Sequence, residues 1–171
     1  VYYAIDNGAA IINASWGSGG HSMLLRETIA YGAHHDVLFV AAAGNNGRDI
    51  DRGPFYPASY DLDNIISVGS SDSTDNRSDF TNYGYRSVDL FAPGSHIVST
   101  VPGNDVAVYY GTSMSAPFVA GALALIVGAR PGMSYTKYIG ALLAGVDIDR
   151  RFRGGLCYRR PAQCLPGSAG R

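Results

Sequence analysis

Three short runs of apolar residues constrain this chain more than any other feature. Residues 9–14 (Ala-Ala-Ile-Ile-Asn-Ala), 37–43 (Val-Leu-Phe-Val-Ala-Ala-Ala) and 64–69 (Asn-Ile-Ile-Ser-Val-Gly) are largely hydrophobic at successive positions, not at alternate ones. A strand of that kind has no side for water, so it must be covered on both faces. Between the first two runs lies a helical stretch, residues 22–34, with Met23, Ile29, Ala30 and Ala33 on one side and Arg26 and Glu27 on another. Shorter strands are expected at 88–91 and 96–101. The longest helix is expected at 114–128, stopped by Arg130-Pro131-Gly132, with a last surface helix at 135–143. Strand, helix, strand in this rhythm predicts an α/β fold, a largely parallel sheet flanked by helices. Right-handed crossovers then bring the loops that follow the strands to one edge, where open α/β sheets bind ligands.

Charge narrows the partners. The 171 residues include 13 basic and 14 acidic side chains, a net of −1. Residues 1–149 hold all 14 acids and seven of the bases, whereas residues 150–171 hold six arginines and no acid. The body is therefore an acidic globule, which excludes a basic nucleic-acid footprint for it. The uncharged window 111–129 is interrupted by Pro117, Gly121 and Gly128. It reads as a buried core helix, and no membrane partner is expected. The Arg-rich tail 150–171 shows no hydrophobic period and carries Cys157 and Cys164, spaced either for a small disulfide loop or for two unpaired thiols. The chain opens Val1-Tyr2-Tyr3, with neither Met nor a charged leader, and is expected to be part of something longer.

The segment richest in chemistry is Gly111-Thr112-Ser113-Met114-Ser115-Ala116-Pro117, which runs straight into the apolar helix. A serine at a helix N-terminus meets unpaired N–H groups and the positive end of the dipole, both suited to stabilising negative charge beside its Oγ. The simpler alternative is that Thr112 or Ser113 merely caps a core helix. The spacing is also close to the Gly-x-Ser-x-Gly elbow of α/β-hydrolases, but Ser115 stands where the second glycine belongs. An esterase of that kind needs a histidine after Ser113, and none follows.

Read as a whole, the stretch from Gly111 to Gly121 resembles the active-serine motif of subtilisin-like serine proteases. Val40-Ala41-Ala42-Ala43-Gly44-Asn45-Asn46-Gly47 is similar to that family's oxyanion-hole segment, and Ile12-Asn13-Ala14-Ser15-Trp16-Gly17 to its substrate-binding strand. Tyr56-Pro57-Ala58-Ser59-Tyr60, Phe80-Thr81-Asn82-Tyr83-Gly84 and Phe91-Ala92-Pro93-Gly94 match further blocks in the same order. The resemblance covers about residues 1–149 and implies the C-terminal portion of a catalytic domain that is incomplete at its N-terminus.

It further implies a serine endopeptidase. Ser113 would be the nucleophile, with its own N–H and the side-chain amide of Asn45 donating to the oxyanion. Ser15, Trp16 and Gly17 would pair with an extended peptide or protein substrate, and Ala43, Gly44 and Thr112 belong to the same groove. Phe55, just before the Tyr-Pro block, would stand near the base of the pocket for the residue preceding the cleaved bond and make it shallow. The chemistry needs no cofactor or metal. The resemblance also puts Asp72 and the carbonyls around Ala58 and Tyr60 near a structural calcium site of the family, the alternative being a solvated Asp in a turn-rich run, and it favours an extracytoplasmic setting.

The departures matter as much. The family's catalytic Asp and His sit in motifs that precede the first matched block, and neither motif occurs here. The histidines present are His21, His34, His35 and His96, none in a His-Gly-Thr-His context, and Phe118 replaces a customary histidine beside the serine motif. A serine without its base is a weak nucleophile. The chain alone is therefore expected to be a poor or inactive protease that needs the missing N-terminal part of the same domain. The alternative from another class is a non-catalytic peptide-binding module on the same groove.

Overall fold

A computed structural model describes residues 1–147. The tail 150–171, with Cys157 and Cys164, lies outside the described residues. The three apolar runs form strands β1 (Ile11–Ala14), β2 (Leu38–Ala42) and β3 (Ile65–Ser71), joined by β4 (Leu90–Pro93) in a parallel sheet of order β1-β2-β3-β4. The register pairs Ile12 with Phe39, Phe39 with Ile65 and Val68 with Leu90.

Both faces are covered, as continuous apolar strands require. Side chains alternate across a strand, so Leu38, Val40 and Ala42 enter one core with Ile66 and Val68, while Phe39, Ala41 and Ala43 enter the other with Ile65. Helix α2 (Met23–His34), after the short α1 (Tyr2–Asp6), closes the second face with Ile29. Its start is set by Ser22, whose Oγ accepts the N–H of Leu25 at 3.2 Å. Helix α3 (Thr112–Ala129) lies across the first face through Ala116, Val119 and Leu123, supported by α4 (Tyr135–Ala144). By length and composition α3 could cross a membrane, but this buried face packs it on the sheet.

Two expectations are corrected. Residues 105–109 were not expected to be a strand, yet β5 (Ile97–Val101) and β6 (Asp105–Tyr109) form an antiparallel hairpin with Val98 opposite Val108. It stands apart from the main sheet, with Val98, Val106 and Val108 exposed. Helix α3 also begins at Thr112, two residues before the expected start, and its N-cap is Gly111, at φ 148°. That positive φ suits glycine. Thr112, one of the two residues the simpler alternative offered as a cap, is already helical, and its hydroxyl is used elsewhere.

Candidate active site

Two strand ends and one helix end build the site. β1 and β2 are paired as far as Ala14 and Ala41. Beyond that point Ser15-Trp16-Gly17 leaves one strand and Ala43-Gly44-Asn45 leaves its neighbour, and Ser18 bridges instead to Tyr56. The first turn of α3 delivers Ser113 to this edge.

Ser113 and Ser15 clamp each other. Ser113 Oγ donates to the Ser15 carbonyl oxygen at 3.1 Å, and Ser15 Oγ donates to the Ser113 carbonyl oxygen at 2.8 Å. The second bond has a cause in the sequence. Pro117 has no N–H to offer the carbonyl four residues before it, and the hydroxyl of Ser15 takes that place. Asn13 Nδ2 in turn donates to Ser15 Oγ at 2.9 Å.

Asn45 is oriented by Thr112. The Thr112 N–H and its Oγ1 hydroxyl both donate to Asn45 Oδ1, each at 2.9 Å, and Thr112 Oγ1 accepts the Gly44 N–H at 3.1 Å. Two donors on one atom identify it as the amide oxygen. The NH₂ group is thereby turned to the opposite side, next to Gly111, where an added Cβ would stand 3.1 Å from Nδ2. The N–H of Ser113, in the first helical turn, has no carbonyl within the helix to bond. Ser113 Oγ, Ser113 N–H and Asn45 Nδ2 thus bring a hydroxyl and two N–H donors to one region.

Asn82 holds this arrangement and was not singled out from the sequence beyond its matching block. Fully buried, it donates from Nδ2 to the Ala43 carbonyl at 2.8 Å and accepts on Oδ1 from the N–H groups of Asn46 and Arg48 at 3.0 and 3.3 Å. Its own N–H donates to the Gly44 carbonyl at 2.8 Å. No local pattern reveals that role, because the partners lie more than 30 positions away.

The remaining expected residues are placed as follows. Trp16 is half exposed on the rim, edge-on to Phe39. Ala43 is fully buried in the second core and Gly44 is buried too, so the chain first becomes exposed at Asn45. Thr112 is buried and acts through Asn45 and Gly44. Among the described residues, His21 packs against Tyr56 and Tyr60, His34 and His35 end α2, and His96 packs against Tyr110. The hydrogen bond of Ser113 Oγ goes to a carbonyl and not to an imidazole.

Asp72 is engaged within its own turn. Asp72 Oδ1 accepts from Thr74 N–H and Oγ1, both at 2.8 Å, and from Asn76 N–H at 3.0 Å, closing its own turn. The cavity of about 250 Å³ beside Ala58 and Tyr60 is lined instead by Asp51, Asp61, Asp89 and Arg86. Among the described residues no group of three His, Cys, Asp or Glu side chains is arranged to hold a metal.

Comparisons with known proteins place the chain in a family. The model of the subtilase family matches residues 1–145. A thermophilic serine proteinase of Bacillus sp. (strain AK1) is 45% identical over 126 residues, covering 74% of this chain and 30% of that protein. Subtilisin DY of Bacillus licheniformis is 38% identical over 138 residues, covering 80% of this chain and 49% of that one. The crystal structure of a cold adapted subtilisin-like serine proteinase superposes with a TM-score of 0.73 at 34% identity, over 81% of this chain and 49% of its own. The chain spans less than half the length of these relatives.

Proposed function

Because the chain belongs to the subtilase family, we propose that it supplies the nucleophile, the oxyanion hole and one wall of the peptide groove of a serine endopeptidase. The observation that carries this reading is the fixed amide of Asn45, held by Thr112 with its NH₂ group free to donate beside Ser113. Ser113 Oγ attacks the peptide carbonyl carbon. The resulting oxyanion receives hydrogen bonds from Asn45 Nδ2 and the Ser113 N–H, both held before the reaction starts. The amine leaves with a proton, and water then releases the acyl group from Ser113.

Both proton transfers need a base that the described residues do not bring to Ser113. We assign it to polypeptide beyond them, and α3 supports that assignment. Pro117, Phe118, Gly121, Ala124, Leu125 and Gly128 make a continuous outward stripe, all apolar and all exposed, with Phe118 at 51% and Leu125 at 77%. A stripe facing water would be polar. Next to it a cavity of about 330 Å³ is lined by Ser113, Met114, Pro117, Phe118 and residues of the β5–β6 hairpin. A segment covering this stripe reaches Ser113. The chain alone is accordingly a poor or inactive protease, and an extracytoplasmic setting rests on the family resemblance alone.

A fluorophosphonate probe, which reacts only with an activated serine, tests the reading. The intact protein should be labelled at Ser113, the Ser113→Ala variant should not, and residues 1–171 alone should label slowly or not at all. A second reading, a peptide-binding module without catalysis, is favoured by the commitment of the Ser113 hydroxyl to the Ser15 carbonyl. An intact protein that binds peptide but never labels would select it.

A further inference from the structure

Resting on the reading of Ser113 as the nucleophile, we infer that the Ser15 side chain is a positioning residue: its hydroxyl holds the carbonyl that Pro117 frees and so fixes the backbone from which Ser113 reacts. Pro117 lies inside α3, four residues after Ser113. Proline offers no N–H to that carbonyl, and its ring crowds the same oxygen and turns it away from the helix. Left so, the first turn of α3 would be loosest at the one residue whose side chain and N–H both serve the chemistry. Ser15 Oγ, 98 positions away in the chain, closes that opening with a bond of 2.8 Å to the Ser113 carbonyl oxygen.

The hydroxyl is itself committed. Asn13 Nδ2 donates to Ser15 Oγ at 2.9 Å, and a carbonyl oxygen can only accept, so the Ser15 proton belongs to the Ser113 carbonyl. Ser15 follows directly on Ala14, which is fully buried and pairs with Ala41 of β2. On the other side of Ser113, the Thr112 N–H is held by Asn45 Oδ1 at 2.9 Å. The chain is therefore gripped both before and after the reacting residue. The two bonds between Ser15 and Ser113 have different fates in the reaction. Ser113 Oγ must leave the Ser15 carbonyl, 3.1 Å away, in order to attack. The bond from Ser15 Oγ to the Ser113 carbonyl involves no reacting atom and persists.

Kinetics of the intact protein on a peptide substrate, with the rate constant for fluorophosphonate labelling of Ser113, test this. Ser15→Ala should lower both kcat and the labelling rate constant by at least about tenfold, because displacing a reacting group by about 1 Å can cost on the order of 10² in rate. The KM should change little, since only a side-chain atom is removed and the backbone left to pair with peptide is unchanged. Ser15→Thr, which keeps a hydroxyl, should retain most of the rate. Pro117→Ala gives the Ser113 carbonyl a helical N–H, so in that background Ser15→Ala should cost several-fold less. Dependence on residue 117 separates positioning from a general loss of packing. Equal losses in both backgrounds overturn the inference, as does a rise in KM alone. A Ser15→Ala protein that fails to fold, and that Pro117→Ala does not rescue, overturns it too. Cleavage and labelling unaffected by Ser15→Ala sink this inference alone, whereas an unmodified protein that neither cleaves nor labels sinks the endopeptidase reading with it.

Discussion

Two residues at the site carry opposite expectations. If Asn45 is the oxyanion donor proposed above, Asn45→Ala should lower kcat of the intact protein by about 10²–10³, the loss known for one such donor in a subtilisin. The KM should change little, because the bond forms with the developing charge and not with the ground-state carbonyl. Ser115 is fully buried and its Oγ lacks a hydrogen-bond partner. Leaving a buried hydroxyl unpaired costs about 1–3 kcal/mol, so Ser115→Ala should raise stability by roughly 1 kcal/mol, a rise of about 2–4 °C in Tm. An unchanged or lower Tm in a melting experiment would count against it. Both residues were visible in the motif, but the unpaired state of Ser115 was not, since it depends on what Gly94 and Ser70 place around it.

Loops, more than strands, hold the elements in register around the site. The chain after β2 is tied to residues 82–87 by Asn82, by paired backbone bonds between Arg48, Ile50 and Tyr83, and by Asp51. Burial pushes the Asp51 carboxyl up, but the N–H groups of Arg86 and Ser87 and the charge of Arg86 outweigh it and hold the carboxyl below its ordinary value. A group lowered in the folded state adds stability that is fully present above its unfolded pKa, about 3.9. That contribution is lost as pH falls through the folded value. Asp51→Asn should therefore unfold at lower denaturant than the unmodified chain at pH 7, with the gap closing below about pH 4. A gap independent of pH would show that Asp51 acts through shape and not charge. The sequence showed none of this, because Asp51 meets Arg86 and Ser87 across 35 and 36 positions.

For the molecule as a whole, the apolar stripe of α3 makes the next prediction. If polypeptide covers it in the intact protein, Leu125→Glu buries an unpaired carboxylate and should cost several kcal/mol there. In residues 1–171 alone the same change should cost little and improve solubility, because Leu125 is already exposed. Equal effects in both, measured by chemical unfolding, would remove the covering segment. By itself the sequence determined the parallel sheet, since largely apolar strands alternating with helical stretches call for cover on both faces. It also singled out Ser113 and Asn45 as candidates, through the resemblance of several blocks in one order. The tertiary structure alone decided that the Asn45 amide points its NH₂ group into the site and that Pro117 frees a carbonyl for Ser15. Each of these is a contact between segments distant in the chain. Local spacing carries no record of such contacts, because only the folded sheet brings its strand ends and the helix start to one edge.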